Sequence, residues 1–261
     1  MLSLLPHKAI TALLLVLLAM QAAPTSAEQV VRVGAYSFPP FAEQEEGQLG
    51  GITPALLETL NGFQDTYRFE LVATSPNRRY RDFMDGRFDL MFFESPAWGW
   101  QAKGLPVETS EEFLKGGEVY ITRAVDGRDQ GYFDDLTGKK VAGILGYHYG
   151  YADFKSDPDL LRSEKGMILV IDAEAIINLV RQGRADLGIV TQSYLQRHLN
   201  LFPDQAGELL VSDRLDQAYS HRVLVRKGAR PSAHEMTDLL GRMQSEGVLS
   251  RFLEEQGLTP E

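Results

Sequence analysis

The sequence predicts an α/β protein of two lobes, joined by two extended crossings that act as a hinge. Strands alternate with helices in the N-terminal half, and the same alternation restarts at Val141. Such alternation indicates parallel sheets covered by helices. Two strand-like stretches, at residues 118–122 and 218–225, lie between the two units. Two connections between two lobes make a hinge, and the cleft between the lobes is the natural site for a ligand.

The first unit opens with a β-rich run at residues 30–35. Pro39 and Pro40 end that strand because proline cannot donate to a sheet, so the aromatic residues beside them lie on a loop at its carboxyl end. Thr53 followed by Pro54 predicts a helix with Thr53 as its cap. In chain order, the remaining predicted elements of this unit are a strand at 69–73, a helix from Pro76 and a nearly all-apolar strand at 88–93.

The second unit is smaller and follows a turn at residues 136–139. Its predicted elements are a strand at 141–145, a strand at 169–171, a helix capped by Asp172, a strand at 187–190 and a helix at 193–199. A strand at 222–225 then leads to Ser232 and Glu235, whose spacing matches a capping box that begins a helix. A short last helix is predicted at 249–256.

The first 27 residues have the features of a secretory signal peptide. Lys8 precedes an apolar run at residues 9–20, and small residues follow up to Ala27, after which we expect cleavage. The alternative, a membrane-spanning helix, needs about 20 apolar residues, and this run is shorter. The sequence has no cysteine, which excludes a lipid anchor, disulfides and cysteine-based sites. We therefore expect an exported, periplasmic protein with no stable membrane insertion after cleavage.

The charge of the chain argues against two classes of partner. Removal of Lys8 with the signal peptide leaves 25 basic residues against 36 acidic ones, a net charge of −11. Nucleic acids and anionic membranes attract basic proteins, so neither is expected as a partner.

Six short motifs occur in a fixed order along the chain. They are Val33-Gly34 with Tyr36 and Phe38-Pro39-Pro40-Phe41, Gly51-Ile52, Gly86-Arg87-Phe88-Asp89-Leu90-Met91, Leu136-Thr137-Gly138-Lys139-Lys140-Val141, Gly183-Arg184-Ala185-Asp186-Leu187 and Val225-Arg226-Lys227-Gly228. Together, over nearly the whole chain after the signal peptide, they resemble the family 3 periplasmic solute-binding proteins, the polar amino-acid-binding group of ABC transporters.

The resemblance implies a type II periplasmic-binding-protein fold and a binding role, with no enzymatic activity, cofactor, metal or catalytic residue. Lobe one is then residues 28–120 plus 216–261, and lobe two is residues 121–215. A small-molecule ligand would be trapped between the lobes by hinge closure and delivered to an inner-membrane ABC permease.

The amino-acid site that the resemblance implies lacks its charged residues in this chain. The family carries an arginine soon after the third strand, which clamps the ligand carboxylate, and an aspartate that holds the ligand ammonium. Here no arginine occurs between Glu94 and Gln101, and Thr191 takes the place of the aspartate. The small hydroxyl-bearing turn of lobe two is replaced by an aromatic segment at residues 146–151. We therefore expect that free α-amino acids do not bind tightly.

Large aromatic residues replace those charges at strand ends that face the cleft. Their rings would close on a flat or cationic ligand by stacking or cation–π contact, with Glu94 as a counter-charge. The predicted ligand-binding residues are Tyr36, Phe41, Glu94, Trp98, Trp100, Tyr147, His148, Tyr149 and Thr191.

Several of these residues also have a purely structural interpretation. Phe41 would belong to the core, Trp98 would pack under its own loop, and Glu94 would be a hydrogen-bonded structural carboxylate. His148 has no second histidine at ligand spacing, so a metal site is not expected. The cluster Arg78, Arg79 and Arg81 is expected to face solvent, although Arg79 or Arg81 would replace the missing clamp if either reached the cleft.

Two other functions remain open from the sequence. Some relatives with this fold are periplasmic dehydratases, and Glu94 with His148 across the cleft would provide an acid and a base if burial tuned their pKa values. Those enzymes act on carboxylate ligands, for which the arginine clamp is missing. The other alternative is a sensor that presents a ligand to a receptor without transport.

Overall fold

The computed structural model describes residues 28–45 and 47–258, so the predicted signal peptide lies outside the described residues. Within these two ranges, nine strands form one continuous, curled sheet, and a short hairpin stands apart from it. None of the helices in this part of the chain is long and apolar enough to cross a membrane.

The N-terminal unit is built on parallel strands with helices between them. Its elements are β1 (Gln29–Ala35), the hairpin strands β2 (Glu43–Glu45) and β3 (Gln48–Gly50), α1 (Ile52–Phe63), β4 (Tyr67–Ala73), α2 (Arg79–Met84), β5 (Leu90–Glu94) and β6 (Val107–Thr109). Strand β1 lies between β4 and β5 and is parallel to both. Leu56 and Leu60 of α1 have no exposed surface, so the apolar face of this helix closes the core of the unit.

The start of α1 differs from the prediction. Gly51, not Thr53, is the N-cap, and the helix begins at Ile52. The φ angle of Gly51 is 93°, a conformation that glycine adopts far more easily than other residues. A Cβ atom there would lie 2.8 Å from the carbonyl oxygen of Pro40. Thr53 lies buried in the first turn, and its N–H donates to the carbonyl of Phe41 at 2.7 Å, which ties the helix to the aromatic loop.

The second unit repeats the arrangement on a smaller scale. Its elements are β8 (Val141–Ile144), α3 (Pro158–Ser163), β9 (Ile168–Val170), α4 (Ala173–Arg181), β10 (Leu187–Thr191) and α5 (Gln192–Leu201). Strand β8 is parallel to both β9 and β10. The side chain of Asp172 accepts the N–H of Ala175 at 2.7 Å, so the predicted cap of α4 is confirmed.

Two long antiparallel strands, β7 (Leu114–Arg123) and β11 (Leu209–Arg226), join the two units. The C-terminal end of β11 pairs with β5 and β6 in the first unit, and β7 pairs with β10 in the second. Both predicted crossings lie inside these strands. The predicted lobe boundaries, between residues 120 and 121 and between residues 215 and 216, also fall within them and stay a prediction because the strands run unbroken past both points.

The C-terminal helices α6 (Ala233–Ser245) and α7 (Val248–Glu255) pack on the N-terminal unit. The hydroxyl of Thr237 accepts the N–H of Glu111 at 3.0 Å, and the Tyr67 hydroxyl donates to Glu235 at 3.4 Å. Ser232 and Glu235 form the predicted capping box. The chain therefore returns to its first unit after building the second, as an inserted lobe requires.

Candidate ligand-binding site

A small pocket lies where the two units and the two crossing strands meet. The free space at its centre is about 10 Å³, which is room for about one water molecule. Its walls are formed by Tyr36, Phe38, Arg79, Trp98, Glu118, Tyr147, His148, Gln217 and Tyr219. Because so little space remains between these side chains, a larger solute enters only if the units separate or the side chains move.

Aromatic rings from both units contact one another around this pocket. Phe38 and Trp98 both belong to the first unit, and their ring centroids are 5.5 Å apart. The ring of Phe38 also lies 5.7 Å from that of Tyr147, in the second unit, and both contacts are edge to face. Trp98 and Tyr219 of β11 are 5.1 Å apart at 84°. This is the geometry that aromatic quadrupoles favour, so the rings themselves help to hold the cleft closed.

The amide of Gln217 connects three parts of the molecule. Its Oε1 accepts the indole N–H of Trp98 at 2.9 Å, from the first unit. Its Nε2 donates to Glu118 on β7 at 2.7 Å and to the carbonyl of His148 in the second unit at 2.5 Å. One side chain on a crossing strand therefore contacts both units at once and would be disturbed by any change in their separation.

Three further polar contacts bridge the cleft. The Tyr147 hydroxyl donates to the carbonyl of Ser37 at 2.6 Å, which fixes the second unit to the end of β1. The others are a 3.3 Å contact between the Tyr80 hydroxyl and Nε2 of His148, and an ion pair between Arg197 and Glu43.

The guanidinium of Arg79 is buried among aromatic rings beside a carboxylate. Arg79 and Glu94 are each 1% exposed, and Nε of Arg79 lies 3.6 Å from Oε1 of Glu94. The guanidinium stands 4.6 Å from the ring centroids of both Tyr36 and Tyr80. The other oxygen of Glu94 accepts the indole N–H of Trp100 at 2.7 Å. Burial raises the pKa of Glu94, while Arg79 and the Trp100 N–H oppose that rise.

The prediction that Arg78, Arg79 and Arg81 face solvent is wrong for one of the three residues. Arg78 and Arg81 are 69% and 86% exposed, as predicted. Arg79 points inward because Glu94, which is 15 residues away in sequence, supplies a buried counter-charge. Burial alone would lower the pKa of Arg79, but the neighbouring Tyr36 and Glu94 raise it overall, so this side chain keeps its charge.

Glu118 lines the pocket from β7 with 2% of its surface exposed. Burial, and then the negative charge of Asp216, raise the pKa of Glu118 to about 8. His148 is affected in the opposite way, since burial and the nearby Arg79 and Lys103 lower its pKa to about 3. Near neutral pH, Glu118 is therefore mostly protonated and His148 is neutral.

The structure brings together four of the nine predicted ligand-binding residues. Tyr36, Trp98, Tyr147 and His148 line the pocket. The other five, Phe41, Glu94, Trp100, Tyr149 and Thr191, lie outside its wall and are buried around it. Their part in binding stays a prediction.

Four of these five residues have local contacts that hold them away from the pocket. The Phe41 ring stacks on Phe93 at 4.5 Å, in the core of the first unit. The indole N–H of Trp100 donates to the carboxylate of Glu94, which holds both side chains in the first unit. The Tyr149 hydroxyl accepts the N–H of Ile144, which turns that ring beneath its own loop. Thr191 ends β10 directly opposite Glu118 in the sheet register.

Five wall residues were not among the predicted ligand-binding set. They are Phe38, Arg79, Glu118, Gln217 and Tyr219. A sequence signal exists for three of them, because a hinge strand borders the cleft along its length. Glu118 is a charged residue in a stretch whose composition otherwise predicts a buried strand. Gln217 and Tyr219 are two positions apart on β11, so their side chains lie on the same face of the strand.

The described residues show no grouping of three His, Cys, Asp or Glu side chains that would hold a metal ion. The pocket wall itself offers aromatic faces, the amide of Gln217, the imidazole of His148, the guanidinium of Arg79 and the carboxyl of Glu118.

No protein-family model matches this sequence, and no curated protein matches it. Solved structures do match. An ancestral arginine-binding protein bound to arginine has a TM-score of 0.65 and 17% identity, over 88% of this chain and 99% of that chain. A histidine kinase sensor domain with similarity to periplasmic binding proteins has a TM-score of 0.67 and 15% identity, over 90% and 99% of the two chains.

A third structure is an ancestral amino-acid-binding protein described as a precursor of cyclohexadienyl dehydratase. Its TM-score is 0.63 and its identity 19%, over 87% of this chain and 94% of that chain. At such identities the likeness concerns the fold alone, and it agrees with the fold that the six sequence motifs predict. The chain has the two-lobed type II periplasmic-binding-protein fold, with a hinge of two crossing strands and a cleft between the lobes.

Proposed function

We propose that the protein binds a small solute in the cleft and closes over it by movement of the two lobes about β7 and β11. The observation that carries this proposal is the composition of the pocket wall, to which both lobes and both crossing strands contribute. A solute bound in this pocket would contact both lobes and both crossing strands, which are the parts that move during closure. Hinge closure then links binding to a change in shape, the change by which a partner recognises the loaded protein.

Within this proposal, the solute is captured in the periplasm and delivered to an inner-membrane ABC permease. The signal-peptide features of residues 1–27 support export, and the sequence motifs support the transport group. A matching structure that is the substrate-binding protein of an amino acid ABC transporter has the same fold, with a TM-score of 0.64. The likeness to a kinase sensor domain favours ligand sensing as a second candidate, which would use the same cleft and the same closure.

The geometry favours binding over catalysis. A dehydratase-like mechanism would use Glu94 and His148 as an acid and a base facing one another. Glu94 is instead paired with Arg79 and Trp100 and does not line the pocket. The low pKa of His148, about 3, which burial causes, also makes it a weak base at neutral pH.

A thermal-shift screen of the mature protein by solute class tests the proposal. At a hundred times its dissociation constant, a specific solute should stabilise the protein by about 2.7 kcal/mol. We expect free α-amino acids to give no such shift below millimolar concentration. Glu94 already neutralises Arg79, so the carboxylate of a buried zwitterion would have no free positive partner.

Calorimetry with the standard amino acids checks the negative half of this expectation. Micromolar binding of any one of them, lost in Arg79→Ala and retained in the exposed control Arg81→Ala, would show that Arg79 acts as the carboxylate clamp after all. A screen in which no solute of any class stabilises the protein would contradict the proposed function itself.

A further inference from the structure

We propose that the solute carries an ammonium group, that Glu118 is its counter-ion, and that binding releases the proton of Glu118. The proposal rests on the proposed function, because it names the ligand chemistry of the same pocket. It differs from the sequence-based expectation, which assigned the counter-charge to Glu94.

The charges around the pocket cancel except at Glu118. Arg79 and Glu94 form a buried pair and neutralise each other. His148 is neutral, since burial holds its pKa at about 3. Glu118 lines the pocket with 2% exposure, and among the described residues no lysine or arginine forms an ion pair with it. Its carboxyl is the one acidic group of the pocket wall, which makes the site selective for positive charge.

The groups that face Glu118 offer it hydrogen bonds but no ion pair. They are Asp216, Gln217 and Tyr219 on β11, Tyr147, His148 and Tyr149 after β8, Thr191 at the end of β10, and Arg79 in the pocket wall, whose charge Glu94 already neutralises. Gln217 donates one amide N–H at 2.7 Å and the Tyr219 hydroxyl also hydrogen-bonds to the carboxyl, whereas Asp216 has the same sign as Glu118. A buried carboxylate with so few partners is costly, so the protein favours its protonated form.

Asp216 itself is already satisfied and does not compete for the ligand. Its two oxygens accept the N–H groups of Gly150 and Tyr151, at 2.7 Å each, and the hydroxyl of Tyr120 at 2.6 Å. These contacts hold the second lobe's loop against β11. An incoming cation therefore finds Glu118, not Asp216, as the acid whose charge still lacks a partner.

The aromatic rings of the wall suit the same ligand chemistry. Tyr36, Phe38, Trp98, Tyr147 and Tyr219 surround the pocket on several sides. The faces of such rings attract a desolvated ammonium group by cation–π contact. Aromatic faces and one carboxylate together recognise an organic cation, whereas an anion would meet Glu118 with no free positive group to offset it.

Binding and proton release balance as one exchange. The carboxyl O–H of Glu118 loses its proton to the buffer, and the resulting carboxylate pairs with the ligand ammonium, so the pocket stays neutral. Burial and Asp216 raise the pKa of Glu118 to about 8. The apparent affinity for a cation should therefore fall about tenfold for each pH unit below 8 and level off above it.

The test uses matched probes: choline, tetramethylammonium, putrescine and phenethylamine as cations, 3,3-dimethyl-1-butanol as the neutral isostere of choline, and propionate and benzoate as anions. We expect thermal shifts from one or more cations and from neither the isostere nor the anions. Calorimetry of the best cation at pH 7, in phosphate and in Tris, should show about one proton released per cation bound. The Glu118→Gln variant should lose affinity about thirtyfold or more and release no proton.

The control is Glu108→Gln, an exposed acid on β6, which should leave affinity and proton release unchanged. Binding confined to anions or neutral solutes, or cation binding without proton release, would overturn the inference and leave the proposed function intact. If Glu118→Gln does not fold, calorimetry of the unmodified protein in the two buffers still tests the inference, because it measures whether a proton is released when the cation binds. No binding by any probe, combined with no hit in the wider screen, contradicts the proposed function as well.

Discussion

Replacement of Glu94 by glutamine is expected to lower the free energy of unfolding by about 3–5 kcal/mol. The substitution keeps the shape of the side chain and an oxygen that accepts the Trp100 N–H, so packing changes little. It removes the only anion within ion-pair distance of Arg79 among the described residues, and both side chains are 1% exposed. An arginine cannot give up its proton to escape this cost, so a buried charge is left without compensation.

Chemical denaturation of the Glu94→Gln variant measures this cost. The double variant Arg79→Met with Glu94→Gln should recover most of the lost stability, because no charge then remains buried. The control is Arg81→Ala, which removes an exposed ion pair with Asp85 and should change stability by less than about 1 kcal/mol. A loss below about 1 kcal/mol in Glu94→Gln would mean that Arg79 has another source of compensation.

The second large effect is a stability maximum near pH 6.5. His221 has no exposed surface, and neither ring nitrogen has a hydrogen-bond partner among the described residues. Burial lowers the pKa of His221 to about 3, as it does for His148. Below the usual value of 6.5, the unfolded chain takes up protons on these two residues and the folded chain does not. Each therefore destabilises the fold by about 1.4 kcal/mol per pH unit as the pH falls from 6.5 towards 3.

Glu118 contributes with the opposite sign. Its folded-state pKa is about 8, raised by burial, against a usual value of 4.5, so the folded chain holds a proton that the unfolded chain has lost. This contribution is fully present below pH 4.5 and is lost as the pH rises to 8. From pH 8 to 6.5, uptake of this proton should raise stability by about 1.4 kcal/mol per unit. Below pH 6.5 the two histidines lower stability by more than Glu118 raises it, so stability falls, and the raised pKa values of Glu94 and Asp216, which burial causes, make that fall shallower towards pH 4.5.

Denaturation across pH 4.5–8.5 measures this profile, and His221→Leu tests its origin. With one buried histidine removed, the slope of the acid limb between pH 6.5 and 4.5 should decrease by about 1.4 kcal/mol per pH unit. The control is His234→Asn, since His234 is 85% exposed and should leave the profile unchanged. An acid limb in His221→Leu that runs parallel to the original would show that His221 does not titrate as described.

The fold was predictable because its signals are local and repeated. Capping at Asp172 and at Ser232 with Glu235 occurs as predicted, since a cap depends on residues only three positions apart. The two crossings were also recognisable from their strand-like composition. The cap at Gly51 was missed because it depends on a positive φ angle and on the close approach of the Pro40 carbonyl. The residues next to Gly51 in the sequence do not indicate either feature.

The site was less predictable because its partners are distant in sequence. Glu94 was expected to face the cleft because it follows the carboxyl end of the third predicted strand. Phe93, however, has φ of 56°, and the pairing of β5 with β11 is irregular at this point. At this irregular strand end Glu94 lies beside Arg79, a partner that is 15 residues away in sequence. Glu118 was overlooked because its importance comes from what surrounds it in space.

The most direct test of the central claim is where the solute binds. A second, more open groove of about 350 Å³ lies beside β11 and includes Phe154, which is 40% exposed. For the solute that stabilises the protein most, dissociation constants should be measured with two matched variants, Trp98→Leu in the cleft and Phe154→Leu in the groove. We predict that Trp98→Leu weakens binding by about thirtyfold or more, as loss of a central aromatic contact does, and that Phe154→Leu changes it less than about twofold. Unchanged affinity in a folded Trp98→Leu variant, with a loss in Phe154→Leu, would contradict binding in the cleft.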